Sequence, residues 1–60
     1  MTLKAARINK GLSVKTVADA LNINISTVYA WEQGRHEIPA KQFVQLCKMY
    51  EQPMDNIFLP

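Results

Sequence analysis

The sequence is poor in cysteine, histidine and glycine. Its one cysteine, Cys47, cannot form an intramolecular disulfide, and together with the one histidine, His36, it provides no cluster of metal ligands. Burial of apolar side chains, which make up 48% of the residues, must therefore stabilise the fold. A lone thiol and the lack of a signal peptide predict a reducing, cytoplasmic environment.

Long apolar runs are also missing, which excludes a membrane-spanning helix and a membrane partner. A chain of 60 residues predicts a single domain, residues 1–60. Seven basic and five acidic side chains give a net charge of +2, which is compatible with a nucleic-acid partner without indicating one. No spacing places a nucleophile beside a base, so the composition predicts that the chain is not an enzyme.

The few glycine and proline residues divide the chain into segments with helical periodicity. The first predicted helix runs from Leu3 to Lys10 and ends at Gly11, because glycine suits the left-handed position after a helix. Ser13 is suited to cap a second helix. The apolar stripe of that helix repeats at helical spacing in Val14, Val17, Ala18 and Leu21.

A third helix is predicted from about Ile25 to Gln33. Asn22 tolerates a left-handed backbone and can turn the chain before it, Asn24 can cap it, and Gly34 can end it. The residues expected to share the inner face are Val28, Trp31 and Glu32. The residues expected to lie largely on the opposite face are Ile25, Ser26, Tyr29, Ala30 and Gln33.

Two further helices follow in the sequence. Pro39 suits the first turn of a fourth helix, and Pro53 can open a short fifth one. The residues expected to be buried by the fourth helix are Phe43, Leu46, Cys47 and Tyr50. The fifth is expected to contain Met54, Ile57 and Phe58. The predicted fold is therefore all-α, a bundle of about five short helices around one core.

The second and third predicted helices have the dimensions of a helix-turn-helix, two short helices joined by a turn of three or four residues, at about residues 13–33. Ala18 lies in the middle of the second helix, where a small side chain lets two crossing helices approach closely. Val28 and Trp31 are placed to fold back on it. Such an arrangement leaves the N-terminal half of the third helix free for base edges.

A set of short segments keeps a specific joint spacing along the chain. The segments are Gly11-Leu12-Ser13, Val17-Ala18, Leu21, Ile23, Ser26-Thr27-Val28 and Trp31-Glu32-Gln33-Gly34. The pattern continues in Leu3, Arg7, Pro39, Leu46 and Met54-Asp55-Asn56-Ile57-Phe58. Together they resemble the Cro/CI (XRE-type) helix-turn-helix family of phage repressors and bacterial regulators, over nearly the whole chain.

The resemblance implies a sequence-specific DNA-binding transcriptional regulator of the phage-repressor type, whose third helix enters the major groove. It would act sterically, by occupying an operator and blocking polymerase or a competing regulator. The implied partners are a pseudo-palindromic double-stranded operator and a second copy of the chain in a weak homodimer. No cofactor, metal or small-molecule substrate is implied. The implied location is the nucleoid of a bacterium or of a phage-infected cell.

The resemblance also transfers DNA-contacting positions. In this chain they are Val14, Lys15, Asn24, Ile25, Ser26, Thr27, Tyr29, Ala30 and Gln33. Phosphate contacts are expected from Lys15, Arg35 and Lys41, with Lys10 and His36 as further candidates. Many relatives carry glutamine at the position of Val14, which cannot hydrogen-bond and so either packs or makes an apolar contact. Polar groups are few on this face, so we expect modest specificity for each half-site.

Other departures from the family pattern concern the backbone. Asn22 replaces the usual glycine of the turn at small cost. Glu51 and Pro53 replace a common glycine and serine, which leaves the entry to the fifth helix open. For Arg7 and Glu32 the resemblance implies an ion pair that joins the first helix to the third and fixes the position of the latter.

An alternative function on the same fold is protein interaction, of the antitoxin or antirepressor type. The apolar C-terminal residues could form a docking surface, a dimer interface or simply the last part of the core. They are Met54, Ile57, Phe58 and Leu59. Short members of the family often pair through this region, so we expect these residues to contribute to dimerisation.

Overall fold

The computed structural model describes residues 1–60 and contains four α-helices followed by a 3₁₀ turn. The helices are α1 (Leu3–Asn9), α2 (Val14–Leu21), α3 (Ile25–Gln33) and α4 (Ala40–Tyr50), and the 3₁₀ turn is Met54–Asn56. The all-α class and the first four helices are predicted correctly. None of the helices has the length and apolar character needed to cross a lipid bilayer.

The helix ends follow from local side-chain chemistry. Ser13 caps α2, and its hydroxyl oxygen accepts a hydrogen bond of 3.0 Å from the Thr16 backbone N–H. At the other end of α2, Asn22 adopts a left-handed conformation with φ of 57°. The next N–H, that of Ile23, donates back to the Ala18 carbonyl. The chain is therefore reversed at the point where the sequence predicts a turn.

The start of α3 differs in one detail from the expectation. Asn24 occupies the position before the helix in an extended conformation, but its side chain makes no capping hydrogen bond. Its exposed amide is thus not engaged in holding the helix. Gly34 ends α3 with a φ of 76°, as the sequence predicts.

All four helices contribute to one hydrophobic core. Val17 and Ala18 of α2 are completely buried, and Val28 of α3 is nearly so. The other core residues are Leu3, Ala6, Val14, Trp31, Leu46, Cys47, Tyr50 and Ile57. Because α2 and α3 both insert their apolar stripes into this cluster, the angle between them is set by the same packing that stabilises the domain.

The prediction of a fifth helix is wrong. Only a 3₁₀ turn forms after Pro53, and Ile57 is already extended. The Phe58 N–H donates to the Met1 carbonyl at 2.7 Å, which joins Phe58 to Thr2 in a single parallel bridge. A segment this short gains little from helix formation, since nucleation costs more than one turn returns. Pairing with the N-terminus satisfies the backbone instead.

Candidate nucleic-acid interface

The two faces of α3 differ sharply in exposure. The inner face carries Val28 and Trp31, both buried in the core. The outer face carries the exposed residues Ile25, Ser26, Tyr29 and Gln33. Packing against α2 therefore fixes the inner side of the helix and leaves the side that carries these four residues accessible.

The outer face of α3 bears no charge. Glu32 is the one charged residue of the helix, and its side chain is only 5% exposed because it turns inward. The accessible surface consists of a branched aliphatic side chain, a phenol, a hydroxyl and an amide. Ile25 is 42% exposed and Tyr29 45% exposed. Such a face can make apolar contacts and neutral hydrogen bonds with a partner, but no ion pairs.

The expectation that Ala30 lies on the outer face of α3 is wrong. Ala30 is 5% exposed. The left-handed Gly34 turns the chain back at the end of the helix, so that the Arg35 N–H donates to the Ala30 carbonyl at 2.9 Å. Helical periodicity alone did not reveal this covering loop.

Val14 belongs to the core rather than to the outer surface. It is the first residue of α2 and is buried in the main apolar cluster. The sequence leaves open whether Val14 packs in the protein or makes an apolar contact with DNA. In the structure its side chain packs in the core. Lys15 and Asn24 are exposed, and Thr27 is partly exposed.

A bidentate ion pair joins α1 to α3. The Arg7 Nε donates to Glu32 Oε2 at 2.8 Å, and Nη2 donates to Oε1 at 3.3 Å. Both side chains are largely buried, and the hydrogen bond to Glu32 raises the pKa of Arg7. The sequence did not indicate a third partner, the Leu12 carbonyl, which accepts from Arg7 Nη1 at 3.0 Å. The guanidinium therefore also fixes the loop that leads into α2.

The end of α4 lies close to this ion pair. The pKa of Tyr50 is raised to about 12, mainly by burial and also by the Glu32 carboxylate, while the Arg7 charge opposes the shift. Tyr50 is therefore more than the core residue predicted from periodicity, since its hydroxyl lies within the field of the pair. On the same helix, burial raises the pKa of the Cys47 thiol, so this cysteine remains protonated in the core.

Of the basic side chains around the helix-turn-helix, some form ion pairs and others do not. Lys15 Nζ donates to Asp19 Oδ2 at 2.9 Å, and Lys10 pairs with Glu51. Arg35 and Lys41 are exposed and form no ion pair. Sequence reasoning missed the role of Asp19, although a spacing of four residues between opposite charges on one helix indicates such a pair.

A shallow hollow lies beside the N-terminal half of α3. Its volume is about 300 Å³. The hydroxyl-bearing Ser26 and Thr27 line it together with Arg35 and His36, and Ala30 forms the remaining part of the wall. The loop that buries Ala30 thus brings a guanidinium and an imidazole next to two hydroxyl groups, a set of donors suited to an anionic oxygen.

The four apolar C-terminal residues are not equivalent. Ile57 is buried in the core, so it closes the domain and is not available as a surface contact. Met54 and Leu59 are about half exposed, and Phe58 is 67% exposed. Of the four candidates for dimerisation, three therefore remain on the surface.

Comparison with protein families gives a match over nearly the whole chain. A model described as helix-turn-helix matches residues 3–57, from the first residue of α1 to the buried Ile57. Comparison with curated proteins gives no match, and comparison with solved structures gives none either.

Proposed function

We propose that this chain, which belongs to the Cro/CI (XRE-type) helix-turn-helix family, is a sequence-specific transcriptional repressor of the phage type. Membership of the family makes it a DNA-binding domain and not an enzyme. In the proposed mechanism α3 enters the major groove of an operator, and the bound protein excludes polymerase or a competing regulator.

The observation that carries the proposal is the two-sided environment of α3. Its inner face is fixed by the core and by the pair between Arg7 and Glu32. Its outer face is accessible, and its side chains do not belong to the hydrophobic core. A recognition helix requires this combination, because its contacts with bases depend on a position that is set before DNA arrives.

The surrounding donors support contact with the phosphate backbone. The hollow lined by Ser26, Thr27, Arg35 and His36 is open to an anionic oxygen at the edge of the proposed groove contact. Lys15 and Lys41 extend the positive charge to α2 and α4. Three such cations predict a salt slope of about −3 for each bound copy, since each neutralised phosphate contributes about −0.9.

A binding titration with duplex DNA tests this proposal. Random-sequence and selected duplexes are titrated between about 50 and 200 mM salt. We expect tight binding that depends on sequence and weakens with salt. Tyr29→Ala should reduce the preference for the selected sequence without unfolding the protein, because this exposed side chain can contact DNA but is not part of the core. Arg35→Ala should weaken binding to all sequences alike and reduce the salt slope by about 1.

The alternative function, a protein-interaction module of the antitoxin or antirepressor type, is favoured by the exposed apolar residues near the C-terminus. Phe58, Met54 and Leu59 offer apolar surface on the 3₁₀ turn and the segment after it. Binding through such a surface would be nearly independent of salt, whereas binding to phosphate is not. Failure to bind any duplex at either salt concentration would favour this alternative.

A further inference from the structure

We infer that α3 recognises thymine in its operator through the C5 methyl group and that Ile25 is the residue that makes this contact. The inference rests on the proposed function, since it concerns what the outer face of α3 contacts once it lies in the groove. It names both the base and the chemical group of that base that determine specificity.

The chemistry of the outer face excludes the strongest contacts with G·C pairs. Guanine is recognised mainly by arginine or lysine, and cytosine by aspartate or glutamate. The exposed part of α3 offers none of these, because its one charged side chain, Glu32, is held by Arg7. Adenine is recognised by asparagine or glutamine, and thymine by apolar contact with its methyl group.

Ile25 stands at the place where base contacts are expected. In a helix-turn-helix the N-terminal residues of the recognition helix approach the base edges, and Ile25 is the first residue of α3. It is exposed and does not belong to the core cluster or to the residues packed against it. Its aliphatic side chain can contribute affinity only where the base also presents an apolar group, and thymine is the standard base that does so.

The neighbouring side chains extend the same chemistry. Tyr29 follows Ile25 by four residues on the same stripe of the helix, about 6 Å along its axis, which is less than two base-pair steps of about 3.4 Å. Asn24 precedes Ile25, and its amide makes no capping bond, so it is available to adenine. An aliphatic side chain flanked by an amide and a phenol thus matches adjacent A·T pairs.

Replacing thymine by deoxyuridine removes the methyl group and leaves every hydrogen-bonding group of the base unchanged. Duplexes are first selected from a random library with the full chain, and each thymine is then replaced singly. We expect selected sequences that share thymine, and about fourfold weaker binding for each contacted thymine that is replaced, which corresponds to the burial of about one methyl group.

Two protein variants assign the effect to a residue. With Ile25→Ala the thymine and deoxyuridine duplexes should bind equally, because the partner of the methyl group is gone. Ile8→Ala, which removes the same aliphatic side chain from an exposed position on α1, should keep the difference. Thermal unfolding of both variants checks that the fold is unchanged.

The outcomes separate the inference from the proposed function. Tight, sequence-dependent binding that is indifferent to deoxyuridine, or that still distinguishes the two bases after Ile25→Ala, would overturn the inference and leave the repressor proposal standing. A selected sequence without shared thymine would do the same. If no duplex binds at all, the proposed function and the inference fall together.

Discussion

At the scale of single residues, the carboxylate of Glu32 is held from outside its own helix. Arg7 donates to both of its oxygens and also to the Leu12 carbonyl, so one guanidinium joins α1, the loop before α2, and α3. A largely buried pair of this kind adds little net stability compared with apolar residues, but losing one partner leaves an unpaired buried charge. Its main effect is therefore on geometry.

Glu32→Ala should lower stability and DNA affinity together. Breaking a buried pair costs about 3 kcal/mol, which corresponds to a fall in Tm of more than about 10 °C for a domain of this size. Calorimetry and a duplex titration measure the two effects. The double variant Arg7→Met, Glu32→Leu is the matched control and should recover Tm, since no charge is left unpaired. Unchanged values for Glu32→Ala would rule out the structural role of the pair.

The raised pKa of Tyr50 predicts a loss of stability of the folded protein at alkaline pH. This pKa is about 12 in the folded protein, against about 10 for an unfolded chain. Between these values the folded state binds more protons than the unfolded state. The stability that Tyr50 contributes is therefore fully present below about pH 10 and is lost as the pH rises toward about 12. The expected loss is on the order of 2 kcal/mol.

Denaturant unfolding at a series of pH values measures this loss, and Tyr50→Phe provides the control. The variant keeps the ring but has no proton to release, so its alkaline decline should be smaller by the same amount. Parallel pH profiles for the two proteins would contradict the assignment.

Asp19 is predicted to oppose DNA binding. Its carboxylate holds Lys15 in the free protein and would lie near the DNA phosphates in the proposed complex. Asp19→Asn should therefore raise affinity for duplex DNA several-fold at low salt, with a smaller gain at high salt because the charges are then screened. Asp55→Asn removes the same charge from the 3₁₀ turn and serves as the control. Equal affinities for the two variants would contradict the prediction.

At the scale of elements, the four helices and their boundaries follow from local signals. Ser13, Asn22 and Gly34 each act within one turn of chain, through a hydroxyl acceptor or a left-handed backbone, so the sequence alone indicates them. The burial of Ala30 and the missing fifth helix were not predictable in this way. Both depend on contacts made after the chain has folded: the loop that follows Gly34, and the N-terminus that pairs with Phe58.

In the candidate site, too, some features follow from the sequence and others depend on tertiary contacts. The outer face of α3 follows from periodicity apart from Ala30, and the partnership of Arg7 with Glu32 follows from family resemblance. The hollow beside Ser26 and Thr27 does not, because it exists only where the returning loop brings Arg35 and His36 back to the helix. The position of a loop in the folded structure cannot be predicted from the periodicity of the sequence.

Gly34 and Gly11 offer a matched test of the loop after α3. Both have a φ near 77°, so alanine at either position carries a backbone cost of roughly 1–2 kcal/mol. A Cβ at Gly11 would meet nothing, whereas one at Gly34 would lie 2.9 Å from the Pro60 Cβ. Gly34→Ala should therefore destabilise the protein more than Gly11→Ala does. Chemical denaturation measures both, and combining Gly34→Ala with Pro60→Gly should remove the excess. An excess that persists would show another cause.

At the scale of the whole molecule, size limits what one copy can contact. The Cα atoms span 25 × 23 × 18 Å, which is shorter than one turn of DNA at about 34–36 Å. In the proposed complex one copy would therefore cover one half-site, and the pseudo-palindromic operator that we propose would take two copies. The exposed Phe58, Met54 and Leu59 are the surface that we propose for pairing.

Phe58→Asp is predicted to separate folding from pairing. The side chain is exposed, so the variant should unfold at nearly the same temperature as the unmodified chain. It should bind an isolated half-site equally well and lose the additional affinity for two half-sites spaced one turn apart. Sedimentation with and without DNA, together with titrations of both duplexes, distinguishes this result. Undiminished binding to the double site would place the interface elsewhere.

Backbone amide signals mapped by NMR, during a titration of isotope-labelled protein with a selected duplex, would show whether the outer face of α3 contacts DNA. We predict that the signals that move lie in α3 from Ile25 to Gln33, at Asn24, near Lys15 and in the loop that carries Arg35. Unmoved signals there, with changes confined to Met54, Phe58 and Leu59, would contradict this prediction and identify the exposed apolar C-terminal residues as the binding surface.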